Sequence, residues 1–95
     1  MIAVDRDGHA NPECVRVKKG NTTLVWQGGA DVRYLMVRFQ PGQTNTPEDP
    51  CCSGTKCTLE KAKHATKDGD FLYDVEVVRT NGSEALEDPR LIIDP

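Results

Sequence analysis

Phe71-Leu72-Tyr73-Asp74-Val75-Glu76-Val77-Val78 is the stretch on which the fold turns. Phe71, Tyr73, Val75 and Val77 alternate with Leu72, Asp74, Glu76 and Val78, giving one apolar face and one mixed face. A period of two is that of an extended strand with one side against a core. Asn81-Gly82 follows, a strong short turn signal because both residue types tolerate positive φ. Glu84 to Pro89 then leads into Leu91-Ile92-Ile93, a closing strand ended by Asp94-Pro95.

Working upstream, Val32 to Gln40 places Leu35, Val37 and Phe39 on one face and Tyr34, Met36 and Arg38 on the other, until Pro41-Gly42 stops it. Thr22 to Gln27 is rich in β-formers and ends at Gly28-Gly29-Ala30-Asp31. Val15 and Val17 alternate with Arg16 and Lys18, and Gly20-Asn21 predicts a tight hairpin joining that strand to the next. Residues 41–70 differ: Pro41, Pro47 and Pro50 recur, apolar residues thin out, and Thr, Gly, Asp and Lys dominate. A connection of that length is functional, stapled or disordered. Thr58 to Lys67, with Leu59, Ala62 and Thr66 at helical spacing, is its one segment able to form a short helix.

The pattern predicts an all-β protein, an antiparallel sandwich or a small barrel of about six to eight strands. It is one domain over residues 1–95, with 41–70 as a long cysteine-containing loop. Trp26, Phe39, Phe71 and Tyr73 are the expected large core residues. A chain of 95 residues buries only about two-thirds of its unfolded surface, so cross-links would help it. The net charge of −3 and pI near 5.3 disfavour non-specific binding to nucleic acid or an anionic membrane. No apolar run approaches the ~18 residues needed to span a bilayer.

Three segments carry a family resemblance: Val15-Arg16-Val17-Lys18-Lys19-Gly20-Asn21-Thr22-Thr23-Leu24-Val25-Trp26, Gly69-Asp70-Phe71-Leu72-Tyr73-Asp74-Val75, and Asp88-Pro89-Arg90-Leu91-Ile92-Ile93. Together they resemble a cupredoxin-like domain, of the group of small, mostly uncharacterised bacterial domains that keep this sandwich. The resemblance implies two His, a Cys and a weak axial Met as copper ligands, three of them in the loop before the last strand. Here residues 77–88 contain no Cys, His or Met, so that ligand set transfers to no position. The resemblance thus implies an all-β, antiparallel Greek-key β-sandwich, and that fold is expected without copper, since fold and site are separable.

Cys51, Cys52 and Cys57 fall within seven residues, and Cys14 stands far upstream. Four cysteines in a short chain without a C-x-x-C pair read as a disulfide framework in an oxidising compartment. Adjacent cysteines rarely bond each other. Cys14 would then pair with Cys51 or Cys52, and Cys57 with the other. The long loop so closed would contribute about 3–4 kcal/mol. Two rival readings stand beside it: unpaired thiols, or a Zn(II) or Cu(I) site built from Cys51, Cys52, Cys57 and His64. The spacing C-C-x4-C-x6-H matches no standard zinc pattern.

Asp5, Asp7 and His9 faintly resemble a calcium loop, but Arg16 occupies its closing acidic position, so a flexible polar N-terminus is expected. Lys56, Lys61, Lys63, His64 and Lys67 form a basic stretch that is either a solvated face or a docking site for an acidic partner. Ser53 and Ser83 lie in no nucleophile context, and Gly28-Gly29 belongs to no phosphate-binding motif. Asp68, Asp70 and Asp74 read as turn chemistry. Asn21-Thr22-Thr23 and Asn81-Gly82-Ser83 match glycosylation sequons.

The resulting expectation is a non-catalytic binding or structural module, outside the cell or in the periplasm once a leader is removed. It should need no cofactor, and its partner should be another protein or a second copy of itself. The metal-handling protein is the alternative.

Overall fold

The computed structural model describes all 95 residues. Ten strands follow one another: β1 (Ile2–Val4), β2 (Ala10–Asn11), β3 (Cys14–Lys18), β4 (Leu24–Gly28), β5 (Val32–Phe39), β6 (Cys51–Ser53), β7 (Lys56–Leu59), β8 (Gly69–Arg79), β9 (Glu84–Glu87) and β10 (Arg90–Asp94). One sheet has the order β2-β1-β4-β7-β6. The other runs β3-β10-β8-β5, with β9 also paired to β8. The two pack face to face as a β-sandwich.

The deciding stretch forms the middle of β8, and its predicted face is buried: Phe71, Tyr73, Val75 and Val77. At eleven residues β8 is long enough for two neighbours on one flank. Its first half pairs with β10 and its second half with β9, while β5 lines the other flank. The switch falls at Asp88-Pro89, where Tyr73 N still donates to Pro89 O at 3.1 Å. Proline cannot donate to the ladder, so the break comes there.

The β8–β9 hairpin predicted at Asn81-Gly82 forms. Gly82 N donates to Arg79 O at 2.9 Å and Arg79 N to Ser83 O at 2.8 Å, with Gly82 at φ +87. This is a three-residue loop closed by a left-handed glycine. In β5, Leu35, Val37 and Phe39 face inward as expected. Val32 joins them because a bulge at Arg33 shifts the register between Val32 and Tyr34.

Several expectations about the fold are corrected. The sheets are mixed rather than purely antiparallel, because β1 pairs parallel with β4 and β3 parallel with β10. The hairpin at Gly20-Asn21 does not form. Gly20 does adopt φ +69, but the chain there crosses from one sheet to the other. Both flanks of β4 are already taken, by β1 and β7, leaving β3 to pair with β10.

Residues 41–70 are not a coreless loop, and no helix spans Thr58–Lys67. β6 and β7 form a hairpin in the first sheet, and only Lys61–His64 makes a 3-10 turn. Strand periodicity wins there because Cys57 and Leu59 alternate with Lys56 and Thr58, and both enter the core. Strands also number ten rather than six to eight, the surplus being short segments such as β1, β2 and β6.

The core holds 17 buried apolar residues, including all four of the expected aromatics. Trp26 and Tyr73 meet edge to face between the sheets, with centroids 5.5 Å apart. Phe39 and Phe71 meet likewise at 5.9 Å.

Candidate functional site

The cysteine cluster sits in the β6–β7 hairpin. Ser53 opposes Lys56 across the two-residue turn Gly54-Thr55. Only the first turn residue has positive φ (Gly54, +59), the mark of a type II′ turn. Cys52 and Cys57 therefore face each other directly across the ladder, and they are disulfide-bonded. This is one of the two Cys57 pairings expected. The second bridge is absent: Cys14 and Cys51 are free and exposed, so there is one disulfide rather than two. Cys14 lies on β3 and Cys51 on β6, at the edges of different sheets, and each side chain faces solvent.

The hairpin covers the outer edge of β5, where backbone donors would otherwise be open. Leu35 N donates to Gly54 O at 2.9 Å. Val37 N points at Cys52 Sγ at 3.5 Å, and Phe39 N donates to Asp49 Oδ1 at 2.9 Å. The same turn reaches the other sheet, where Thr55 O accepts from Gly28 N at 2.7 Å and from Gln27 Nε2 at 3.2 Å. The stapled hairpin thus clamps the two sheets along one side and blocks edge-to-edge pairing there.

The four candidate metal ligands are not brought together. Cys52 and Cys57 are joined to each other, and disulfide sulfurs are not thiolate ligands. His64 is fully buried, and its ring is used on both sides: Nδ1 accepts from Gly20 N at 3.1 Å and Nε2 donates to Thr22 O at 2.7 Å. That pattern fixes the Nε2–H tautomer and pins the β3–β4 crossover to the 3-10 turn. The same commitment, with no Cys, His or Met in residues 77–88, means the chain does not fit a cupredoxin copper site.

The basic residues are spread over several elements. Lys56 is on β7, Lys61 and Lys63 are on the 3-10 turn, and Lys67 follows it. Lys63 pairs with Glu48 at 3.0 Å, whose carboxylate holds the ammonium above the ordinary lysine value. Lys67 Nζ donates to Asn45 Oδ1 at 3.3 Å.

The N-terminal segment forms a hydrogen-bonded turn. Asp5 Oδ1 accepts from Asp7 N at 2.9 Å and His9 N at 3.0 Å, and Gly8 (φ +83) donates its amide to Asp5 O. Arg79 closes it from β8, donating to Arg6 O at 2.8 Å and to Asp7 Oδ1 at 3.2 Å. His9 Nε2 lies 3.1 Å from Glu87. Asp5, Asp7 and His9 do gather their ligand atoms within 4.8 Å, but all three are exposed and engaged in holding this turn. Ser83, the other reactive side chain nearby, has its hydroxyl 2.6 Å from Asn81 Oδ1 inside the β8–β9 turn.

The outer face of β5, β8 and β9 is the part of the surface that departs from ordinary polar covering. Register places Tyr34, Val78 and Glu84 in one row across the strands and Met36, Glu76 and Leu86 in the next. Tyr34, Met36 and Leu86 remain 52%, 49% and 61% exposed, and besides Met1 they are the large exposed apolar side chains of the protein. A shallow groove of about 350 Å³, lined by Tyr34, Met36, Cys52, Gly54 and Val78, runs from this face to the stapled hairpin. Arg33 stacks over the Tyr34 ring at 5.4 Å. The sequence placed Tyr34 and Met36 on the non-core side of their strand. What it lacked was the register that adds Val78 and Leu86 to them.

No protein-family model, curated protein or solved structure matches this chain.

Proposed function

We propose that the protein is a non-catalytic binding module of the cell envelope or extracellular space. It engages a protein partner through the outer face of β5, β8 and β9. The observation that carries this reading is the gathering of Tyr34, Met36, Val78 and Leu86 on one sheet face, where single scattered apolar residues would be ordinary. A cross-strand disulfide is compatible with an oxidising compartment, and the resemblance to copper-free cupredoxin-like domains suits a scaffold that presents a face rather than a catalytic centre.

A photoreactive residue placed at position 36, with a control at exposed position 56, tests the reading in the source cells. A protein adduct at 36 that is absent at 56 is expected. Equal labelling at the two positions, or none at 36, would refute it.

A further inference from the structure

We infer that the occupant of this face is a second copy of the chain, packed face to face about a twofold axis parallel to β8. This rests on the reading of the face as a docking surface. Its support lies in where the charges sit. The β5 side of the apolar patch carries Arg33, stacked over Tyr34. The β9 side carries Glu84, two strands away in the same row as Tyr34 and Val78. Arg33 and Glu84 are both exposed, and neither takes part in any ion pair of the molecule, although Arg6, Arg16, Arg38, Arg79 and Arg90 all do.

A twofold parallel to β8 keeps each row in place and exchanges its two ends. Arg33 of one copy then lies over Glu84 of the other, twice, and Met36 lies over Leu86. Sheets packed this way stand about 10 Å apart, within reach of both long side chains. The alternative in-plane axis, perpendicular to the strands, lays β5 on β5 and brings Arg33 against Arg38, so like charges disfavour it. Closed twofold pairing of one self-complementary patch is the commonest form of self-association. One group opposes it: Glu76 lies on the axis and meets its own counterpart, compensated in each copy only by Arg38 at 3.8 Å.

Three strands make a small interface, so association is weak, with a dissociation constant on the order of 100 µM. Sedimentation velocity of the full chain from about 10 µM to about 1 mM tests it, in a Cys14→Ser/Cys51→Ser background that excludes thiol-linked dimers. A concentration-dependent dimer is expected. Arg33→Glu alone and Glu84→Arg alone should each weaken it about tenfold or more, whereas their equimolar mixture should recover it, because both cross-contacts are then complementary. Glu76→Gln should tighten the dimer. Cys14, Cys51, Arg33 and Glu84 are exposed and Glu76 is half-buried, and the recovery in the mixture is a readout that misfolded variants would not give. A chain that stays monomeric to about 1 mM, or a dimer indifferent to both charge reversals, overturns the inference. A monomer that still forms a specific adduct with a different protein at position 36 also overturns it, while leaving the docking reading intact.

Discussion

Trp26 Nε1 donates a hydrogen bond to Tyr73 Oη at 3.1 Å across the interior of the sandwich, with both side chains fully buried. The contact joins β4 of one sheet to β8 of the other and satisfies the polar atom of each ring within an apolar core. A buried indole N–H left without a partner costs about 1–3 kcal/mol. Tyr73→Phe, which keeps the ring and removes the acceptor, should therefore destabilise the protein by about that amount in urea unfolding followed by Trp26 fluorescence.

The same residue sets an alkaline limit. Burial holds the Tyr73 phenol above its ordinary value of 10.0, with the Trp26 hydrogen bond acting in the other direction. As pH rises through 10.0 the unfolded phenol ionises first, while the folded one stays protonated. Stability is thus fully present below that value and is lost as pH rises toward the folded-state value. Urea midpoints from about pH 9 to about pH 11 should fall more steeply in the wild type than in Tyr73→Phe; parallel slopes would contradict this origin.

One disulfide and two thiols should be countable. Alkylation under denaturing, non-reducing conditions followed by intact mass should label two cysteines, Cys14 and Cys51. Cys52→Ala with Cys57→Ala should cost about 2 kcal/mol for a loop this short. Amide exchange at Leu35, Val37 and Phe39 should rise with it, because the stapled segment supplies their acceptors. Cys14→Ser and Cys51→Ser, both at exposed positions, should change stability by less than about 0.5 kcal/mol.

His64 should behave as a structural residue. Its ¹⁵N shifts should report the Nε2–H tautomer, as its bonds to Gly20 and Thr22 require. His64→Ala should cost about 2–4 kcal/mol, since it leaves a cavity and strands a backbone donor and acceptor.

Gly28 is held to glycine by its neighbour. A Cβ there would lie 2.6 Å from Val32 Cγ1 and 3.0 Å from Val32 Cβ. Val32 is stiff and buried, so Gly28→Ala should destabilise by about 1–3 kcal/mol. Adding Val32→Ala should cost less on the Gly28→Ala background than on the wild type, measured as a double-mutant cycle.

Long alternating strands were legible in the sequence. Phe71 to Val77 and Leu35 to Phe39 each carry enough period-two signal to fix which face turns inward, and the four large aromatics follow from that. The segment Cys51 to Leu59 was not legible. Its alternation, with Cys57 and Leu59 inward, spans too few residues to compete with the helical spacing of Leu59, Ala62 and Thr66. His64 was hidden for another reason. Its partners Gly20 and Thr22 lie 44 and 42 residues away, so nothing local marks it as a core residue. The docking face needed register as well as pattern: Tyr34 and Met36 could be assigned to an outer side, but only strand pairing joins them to Val78 and Leu86.

The pairing of β3 with β10 bears on how the protein is made. Arg16 and Asp94, which lock the two strands with bonds of 2.8 and 3.0 Å, are 78 residues apart in the chain. At roughly 5–20 residues per second, β3 waits on the order of ten seconds for its neighbour to be synthesised. From the completion of β8 at Arg79 until β10 is made, one sheet has an unfilled slot between β3 and β8. A chain cut short between residues 79 and 90 keeps that slot open, so premature termination there should yield sticky, protease-sensitive fragments rather than smaller stable domains.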